Sequence, residues 1–347
     1  MFALTRQDTN VMKGIAICAM LAHHLWGCPI EGVEPYTGVL LWLGILGKVC
    51  VALFLFCSGY GLAANYKPQS LLDDVKFIAK RFVKFYANYW VIFLIFVPIT
   101  IFVFHRSLLD AYGDSSSIYW CLYKDVLGLQ GYESYNVTWW FNLLIIILYL
   151  LFPILYRTVR VQPIIAVVIG MIVMRFGSHL SLSSVEVYMW QFPFIIGVAW
   201  QICENKFPKV TTWLIEHRHI FAICSISLVL LFVILRMWSI IPHWTGVRID
   251  AFLSGAIALF VISVLRYATH LSRILSYLGK HSMNIYMTHT FINAFWCSQL
   301  LHTGEWMRGG GNFVILMIIC LLISIGVEFL KEKIRLYELV NIITKRI

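Results

Sequence analysis

Between Lys13 and Trp26 the chain reads KGIAICAMLAHHLW, apolar enough to enter a bilayer yet carrying one ammonium, Lys13, and two imidazoles, His23 and His24. Ionisable groups inside a membrane span are costly, and they face a cavity or a partner rather than lipid. Lys13 and His24 are eleven residues apart. At about 100° per residue that is three turns plus roughly 20°, so the two share a helix face, with His24 roughly 16 Å deeper. His23 falls on a different face. An ammonium at the rim above an imidazole suits an anionic cofactor and a proton transfer. The alternative is a Lys13 that merely flanks the membrane and a His24 packed against a neighbouring carbonyl.

Three further clusters place polar groups at membrane depth. In FLFCSGYG, Phe54 to Gly61, two glycines permit close backbone approach and Ser58 offers a hydroxyl. This reads either as a narrow bend opening a cofactor channel or as tight helix packing through small residues. In KRFVKFYANYW, Lys80 to Trp90, Arg81 and Lys84 lie three residues apart on one face. They suit phosphate groups as donors and counter-charges, although ordinary positive flanking of a span gives the same pattern. In LGKHSMNIYMTHTF, Leu278 to Phe291, His289 stands nine residues beyond Lys280, roughly 14 Å into its span. That depth matches His24, so the two histidines are expected to line one cavity. The bland alternative is that His289 bonds a carbonyl far from any chemistry. No metal cluster, Ser-His-Asp ordering or glycine-rich nucleotide loop is present in the sequence.

The elements that must position these groups follow from composition. The 347 residues are 60% hydrophobic and 13% charged, with a mean hydropathy of +0.80, whereas a soluble domain is about 25% charged. The chain reads as an all-α, polytopic membrane protein and a single domain over 1–347. Spans of about 20 apolar residues are expected at Val11–Trp26, Val39–Ala64, Phe82–Phe104, Trp139–Tyr156, Ile164–Phe176, Tyr188–Cys203, Ile220–Trp238, Val247–Leu265, Met283–Leu301 and Phe313–Leu330. With ten spans both termini lie on one side, and that side collects twenty Lys and Arg against seven, which makes it cytoplasmic. The net charge of +10 is then a topology signal and not a nucleic-acid footprint. Nine cysteines without a CxxC pair read as small buried hydrophobes rather than disulfides or metal ligands. No cleavable signal peptide is evident. An amphipathic helix over 331–347 is expected on the inner leaflet. The longest outer loop, His105 to Thr138, carries Asp110, Asp114, Asp125, Glu133 and several Tyr and Trp, suited to covering a cavity, gripping a sugar or anchoring at the interface.

Taken in order, these four clusters resemble the acyltransferase-3 family, the polytopic membrane O-acyltransferases that modify sugars on bacterial surface polymers. The family's first span carries Arg or Lys, ten residues, then His; Lys13 and His24 match and His23 does not. Its phenylalanine-rich segment ending in Ser-Gly-Tyr matches Phe54–Tyr60. Its basic-aromatic segment matches Lys80–Trp90, with Ala87 in place of Pro. Its Ile-Tyr-x-x-His matches Ile285, Tyr286 and His289. Lys13 stands where most members have Arg, and Lys holds phosphate as a point charge rather than a fork. The family's Trp-Ser-Leu-x-x-Glu corresponds to Trp140–Ile145, with no carboxylate.

The resemblance implies an O-acetyltransferase in the bacterial inner membrane. It would move acetyl from cytoplasmic acetyl-CoA to a hydroxyl of a glycan or lipid-linked sugar acceptor, with no metal. In this reading His24 is the general base and His289 orients the acceptor or a water. Lys13, Ser58, Arg81 and Lys84 serve the CoA moiety. Partners are the glycan acceptor and membrane lipid, not nucleic acid. A transporter or exporter of a polysaccharide precursor without catalysis is the alternative.

Overall fold

The computed structural model describes residues 4–28, 34–67, 70–113, 117–180, 185–207, 216–238, 243–302 and 310–347, with the backbone alone at 179–180 and 243–247. Asp114 of the long loop lies outside the described residues. In chain order the helices are α1 (Arg6–Ala22), α2 (Gly38–Leu46), α3 (Val49–Asn65), α4 (Leu71–Phe102), α5 (Leu108–Tyr112), α6 (Ile118–Val126), α7 (Trp140–Val161) and α8 (Pro163–Phe176). They continue as α9 (Val187–Lys206), α10 (Arg218–Trp238), α11 (His243–Ser263), α12 (Thr269–Lys280), α13 (Ser282–Thr290), α14 (Ser298–His302), α15 (Gly311–Lys333) and α16 (Leu336–Arg346). No strand occurs among the described residues.

Each of the ten expected spans falls on helix, and among the described residues six helical segments are long and apolar enough to cross a membrane. Besides Val11–Trp26, which passes into a π turn at His23, two expected spans are broken. Val39–Ala64 divides into α2 and α3 at Gly47 and Lys48, where a Cβ on Gly47 would lie 2.2 Å from the Ala19 carbonyl oxygen of α1. Met283–Leu301 divides into α13, a π-helical turn Phe291–Trp296 and α14. The C-terminal helix starts later than expected. Helix α15 runs on through Lys331 and Lys333, Arg335 takes a left-handed conformation at φ 53°, and α16 begins at Leu336.

The chain forms two compact units. The first comprises Met1–Tyr66, Ile154–Ser181 and Tyr188–Ser282; the second comprises Lys67–Pro153, Leu182–Val187 and Met283–Ile347.

In the first unit α1 opens on a capping box. Thr5 Oγ1 accepts from the Asp8 amide, and Asp8 Oδ2 accepts from the Thr5 amide. Asp8 is also buried and forked by Arg266, at 2.5 and 3.2 Å. Beyond that anchor α1 lies against α12 with backbones in contact. A Cβ on Gly14 would sit 2.0 Å from the Leu275 carbonyl oxygen, and one on Gly279 would sit 1.9 Å from that of Asn10. Helices α3 and α9 close on each other in the same way, through Gly59 and Gly197. Lipid tails are as apolar as leucine, so membrane helices associate through close packing and polar contacts rather than hydrophobic burial.

Helix α10 shows the same rule from outside in. Ile220, Ile223, Leu230, Ile234 and Trp238 are exposed, while the buried residues are polar, Ser225 and Arg236. Each meets α11: Ser225 bonds Ser263 at 2.7 Å and Arg236 Nε donates to Asp250 at 2.9 Å.

In the second unit an aromatic core of Tyr89, Phe93, Trp139 and Phe291 joins α4, the 3-10 turn Val137–Trp139 that leads into α7, and the π turn Phe291–Trp296. Capping boxes at Ser70–Asp73 and Ser107–Asp110 start α4 and α5.

Candidate functional site

Helix α1 does not reach His24 as an α-helix. It passes at His23 into a π-helical turn, His23–Gly27. Up to Ala22 the 100° count holds. Over the next two residues the wider turn rotates His24 back by roughly a few tens of degrees. Single π turns interrupt helices mostly at functional sites. The imidazole of His24 is half-buried and packs edge-on to that of His23, with centroids 5.1 Å apart.

His23 is held by its surroundings. Its Nδ1 lies 2.8 Å from the Gly44 carbonyl oxygen in α2. A carbonyl only accepts, so Nδ1 carries the proton. Its Nε2 faces the Cys28 thiol at 3.6 Å. His23 therefore ties the π turn to α2 and leaves His24 as the differently oriented member of the pair.

Lys13, also half-buried, sits one residue before the Gly14 crossing. It lies within electrostatic reach of Cys57 in α3, and Cys57 itself approaches the Thr9 carbonyl of α1 at 3.9 Å. The first two sequence clusters are thus brought together at the α1–α3 contact. Ser58 follows Cys57 and is half-buried. Of the two readings of Phe54–Gly61, the bend is absent, since α3 is continuous through Asn65. Gly59 serves packing against Phe194 instead.

The other three expected residues belong to the second unit. Lys84 is exposed on α4, and Arg81 is half-buried with its guanidinium 5.0 Å from the centroid of the Phe77 ring. His289 is fully buried near the end of α13. Its Nδ1 lies 2.8 Å from the Tyr286 carbonyl and 3.2 Å from that of Ile285, both in its own helix. This fixes the proton on Nδ1 and presents Nε2 as an acceptor, which Thr290 Oγ1 meets at 3.3 Å. Thr290 bonds Thr138 at 3.2 Å, and Thr138 donates to Asn136 Oδ1 at 2.7 Å. Tyr286 donates to the Thr138 carbonyl and to Asn142. At the position of the family's missing carboxylate, Ile145 is a buried apolar residue.

Two polar centres have partners that the sequence reading did not supply. Lys331, expected there at the start of the amphipathic C-terminal helix on the inner leaflet, is fully buried. Its ammonium meets Asn284 Oδ1 at 2.6 Å, Asn88 Oδ1 at 2.8 Å and Glu328 Oε1 at 3.1 Å. Glu328 in turn accepts from Asn284 at 2.7 Å and from Tyr337. The signal was there: a glutamate in the apolar run before Phe329, with a lysine three residues on. The second centre is Asp125, buried near the end of α6. Its Oδ2 accepts from Tyr112 at 2.7 Å and from the Tyr135 amide at 2.5 Å. Burial pushes its carboxyl up to about 7 despite those two donors. Arg106 donates to the Tyr135 carbonyl at 2.6 Å and lies over the Phe295 ring, 4.0 Å from its centroid.

No curated protein and no solved structure gives a significant match to this chain. Apolar helices fit to cross a membrane, a cation and an imidazole on the first helix, and a buried second histidine stand together in one sequence order. A family model described as an acyltransferase domain matches residues 7–330, and the chain belongs to that family, acyltransferase-3, as a membrane acyltransferase.

Proposed function

We propose that the protein is an O-acetyltransferase of the bacterial inner membrane, acting on a hydroxyl of a cell-surface glycan or its lipid-linked precursor. The observation that carries this reading is the half-buried His24 in a π turn, downstream of Lys13 on the same helix. A general base must be reachable by the hydroxyl it deprotonates, and His24 is the more accessible of the two motif histidines.

In this reading the neutral imidazole of His24 takes the acceptor hydroxyl proton as the oxygen attacks the thioester carbonyl carbon. The carbon–sulfur bond then breaks, and the proton passes to the departing CoA thiolate. Lys13, Arg81 and Lys84 hold CoA phosphates as point charges or donors, and Ser58, next to Cys57 on α3, offers a hydroxyl to the CoA moiety. None of the three cations is fully buried, which suits them to a phosphate arriving from water. His289, enclosed and bonded to its own helix, acts by positioning rather than by contact. Ten crossings with cytoplasmic termini, as the Lys and Arg distribution argues, would put Lys13 on the acetyl-CoA side.

The test is acetyl-CoA turnover by the purified protein with glycan acceptors, read as free CoA thiol. Acceptor-dependent thiol release that His24→Ala removes is the expected result. Thiol release indifferent to every acceptor and to His24 would overturn the proposal.

A further inference from the structure

Around the π turn of the first unit lies a polar cluster that the transfer reaction does not use. Arg236 binds Asp250 through Oδ1 at 2.9 Å and the Ile45 carbonyl at 3.4 Å. Asp250 is fully buried, and its second oxygen, Oδ2, has no hydrogen-bond partner among the described residues. Lys48 stands at the break between α2 and α3, half-buried. Its charge is felt at His23, Cys28, Cys50 and Asp250. Yet its ammonium forms no hydrogen bond or ion pair with any described residue.

An ammonium and a carboxylate oxygen that sense each other, each without a hydrogen bond, can be joined by a third group that bonds to both. Buried polar atoms are almost always paired, so an unpaired acceptor opposite an unpaired triple donor describes the complement of its ligand. That ligand must offer an acceptor, best an anion, to Lys48 and a hydroxyl donor to Asp250 Oδ2. The local balance favours an anion, because Lys48 and Arg236 outnumber Asp250 and both act on His23. His23 is adjacent to His24 in the same turn.

We propose that Lys48 and Asp250 form an acceptor subsite for an acidic sugar, its carboxylate or phosphate on Lys48 and a ring hydroxyl on Asp250. This rests on the reading of His24 as the base of a glycan acyltransferase, and it names the acceptor as anionic.

The experiment measures equilibrium binding to the full-length protein in nanodiscs without acetyl-CoA, read by intrinsic tryptophan fluorescence. The probes are D-glucuronate, D-glucose 1-phosphate and neutral D-glucose. At least one acid should bind tenfold or more tightly than glucose; which one does so identifies the anion as carboxylate or phosphate. Lys48→Gln should reduce that acid to the level of glucose, and Lys48→Arg should keep the preference. Lys48 makes no contact that a glutamine would break, and an unchanged melting midpoint checks this. Equal binding of all three probes, or a preference that survives Lys48→Gln or is lost in Lys48→Arg, overturns the subsite and leaves a bridging water as the occupant. Because no turnover occurs, that failure leaves acetyl transfer standing. Loss of turnover with the preference intact instead refutes the transfer reading alone.

Discussion

Two helices end in a π turn near a motif histidine, and they treat it differently. On α1 the turn His23–Gly27 contains His24 itself, half-buried beside a second imidazole. On α13 the turn Phe291–Trp296 starts two residues past His289, which is fully buried and bonded to carbonyls of its own helix. A π turn leaves local backbone geometry free to re-aim side chains. In the first unit it offers an imidazole to a ligand, with His23 taking the structural bond to Gly44. In the second it follows an imidazole already locked in one tautomer, whose Nε2 lies in a run of hydroxyls through Thr290 and Thr138. The contrast separates a group built to be reached from a group built to hold its neighbours.

The largest expected effect tests that separation directly. His24→Ala should lower the acyl-transfer rate by about 10²- to 10⁴-fold, the usual weight of a general base, at unchanged membrane level. His289→Ala should cost less in rate and more in melting temperature, and should leave the pH profile of the residual activity unchanged. His23→Ala should cost about 1–3 kcal/mol of stability, since it removes the partner of a buried carbonyl, while retaining transfer in the folded fraction. Equal rate losses for His23→Ala and His24→Ala at normal levels would erase the distinction.

Next is the support of α13. Lys331→Ala leaves Glu328 and two amides without their cation; because the Glu328 side chain is partly exposed, the cost falls to about 1–3 kcal/mol, below that of a fully buried pair. Thermal unfolding in detergent should show the loss, with proteolysis beginning in the second unit. Lys331→Arg should recover only part of it, because a planar fork does not reproduce three tetrahedral contacts.

A smaller effect sharpens the α1 side. Lys13→Ala should raise the apparent Km for acetyl-CoA by about tenfold or more, the weight of one charge-assisted hydrogen bond, and Lys13→Arg should restore most of it. An unchanged Km in Lys13→Ala would reduce Lys13 to a membrane flank.

The smallest concerns the loop between α4 and α7. A carboxyl raised by burial to about 7, against an ordinary value near 4, keeps its proton longer in the folded state. Its contribution is therefore full below about pH 4 and is lost as pH rises toward 7. Melting temperatures from pH 5 to 8 should fall more steeply for wild type than for Asp125→Asn. Parallel curves would show that Asp125 does not titrate in that window.

The sequence by itself determined the fold class and the order of the helices. A 60% hydrophobic chain with cations gathered in alternate loops leaves few choices in a solvent where every backbone group must bond internally. It also exposed Lys13, His24 and His289, because ionisable residues stand out in apolar runs. It did not determine which of them is reachable. The face shared by Lys13 and His24 was computed for an unbroken α-helix, whereas the π turn at His23 arises where α2 presses on α1 through Gly44. Nor could it assign Ser58–Gly61 to packing rather than a bend, since that depended on Phe194 of a distant helix approaching Gly59. Lys331 reads as the start of an amphipathic helix in one dimension and becomes a buried hub because Asn88 and Asn284, 243 and 47 residues away, converge on it. Periodicity records what one helix offers to its surroundings, but burial, tautomer and partner belong to whatever other helices bring, and those were decided by tertiary structure.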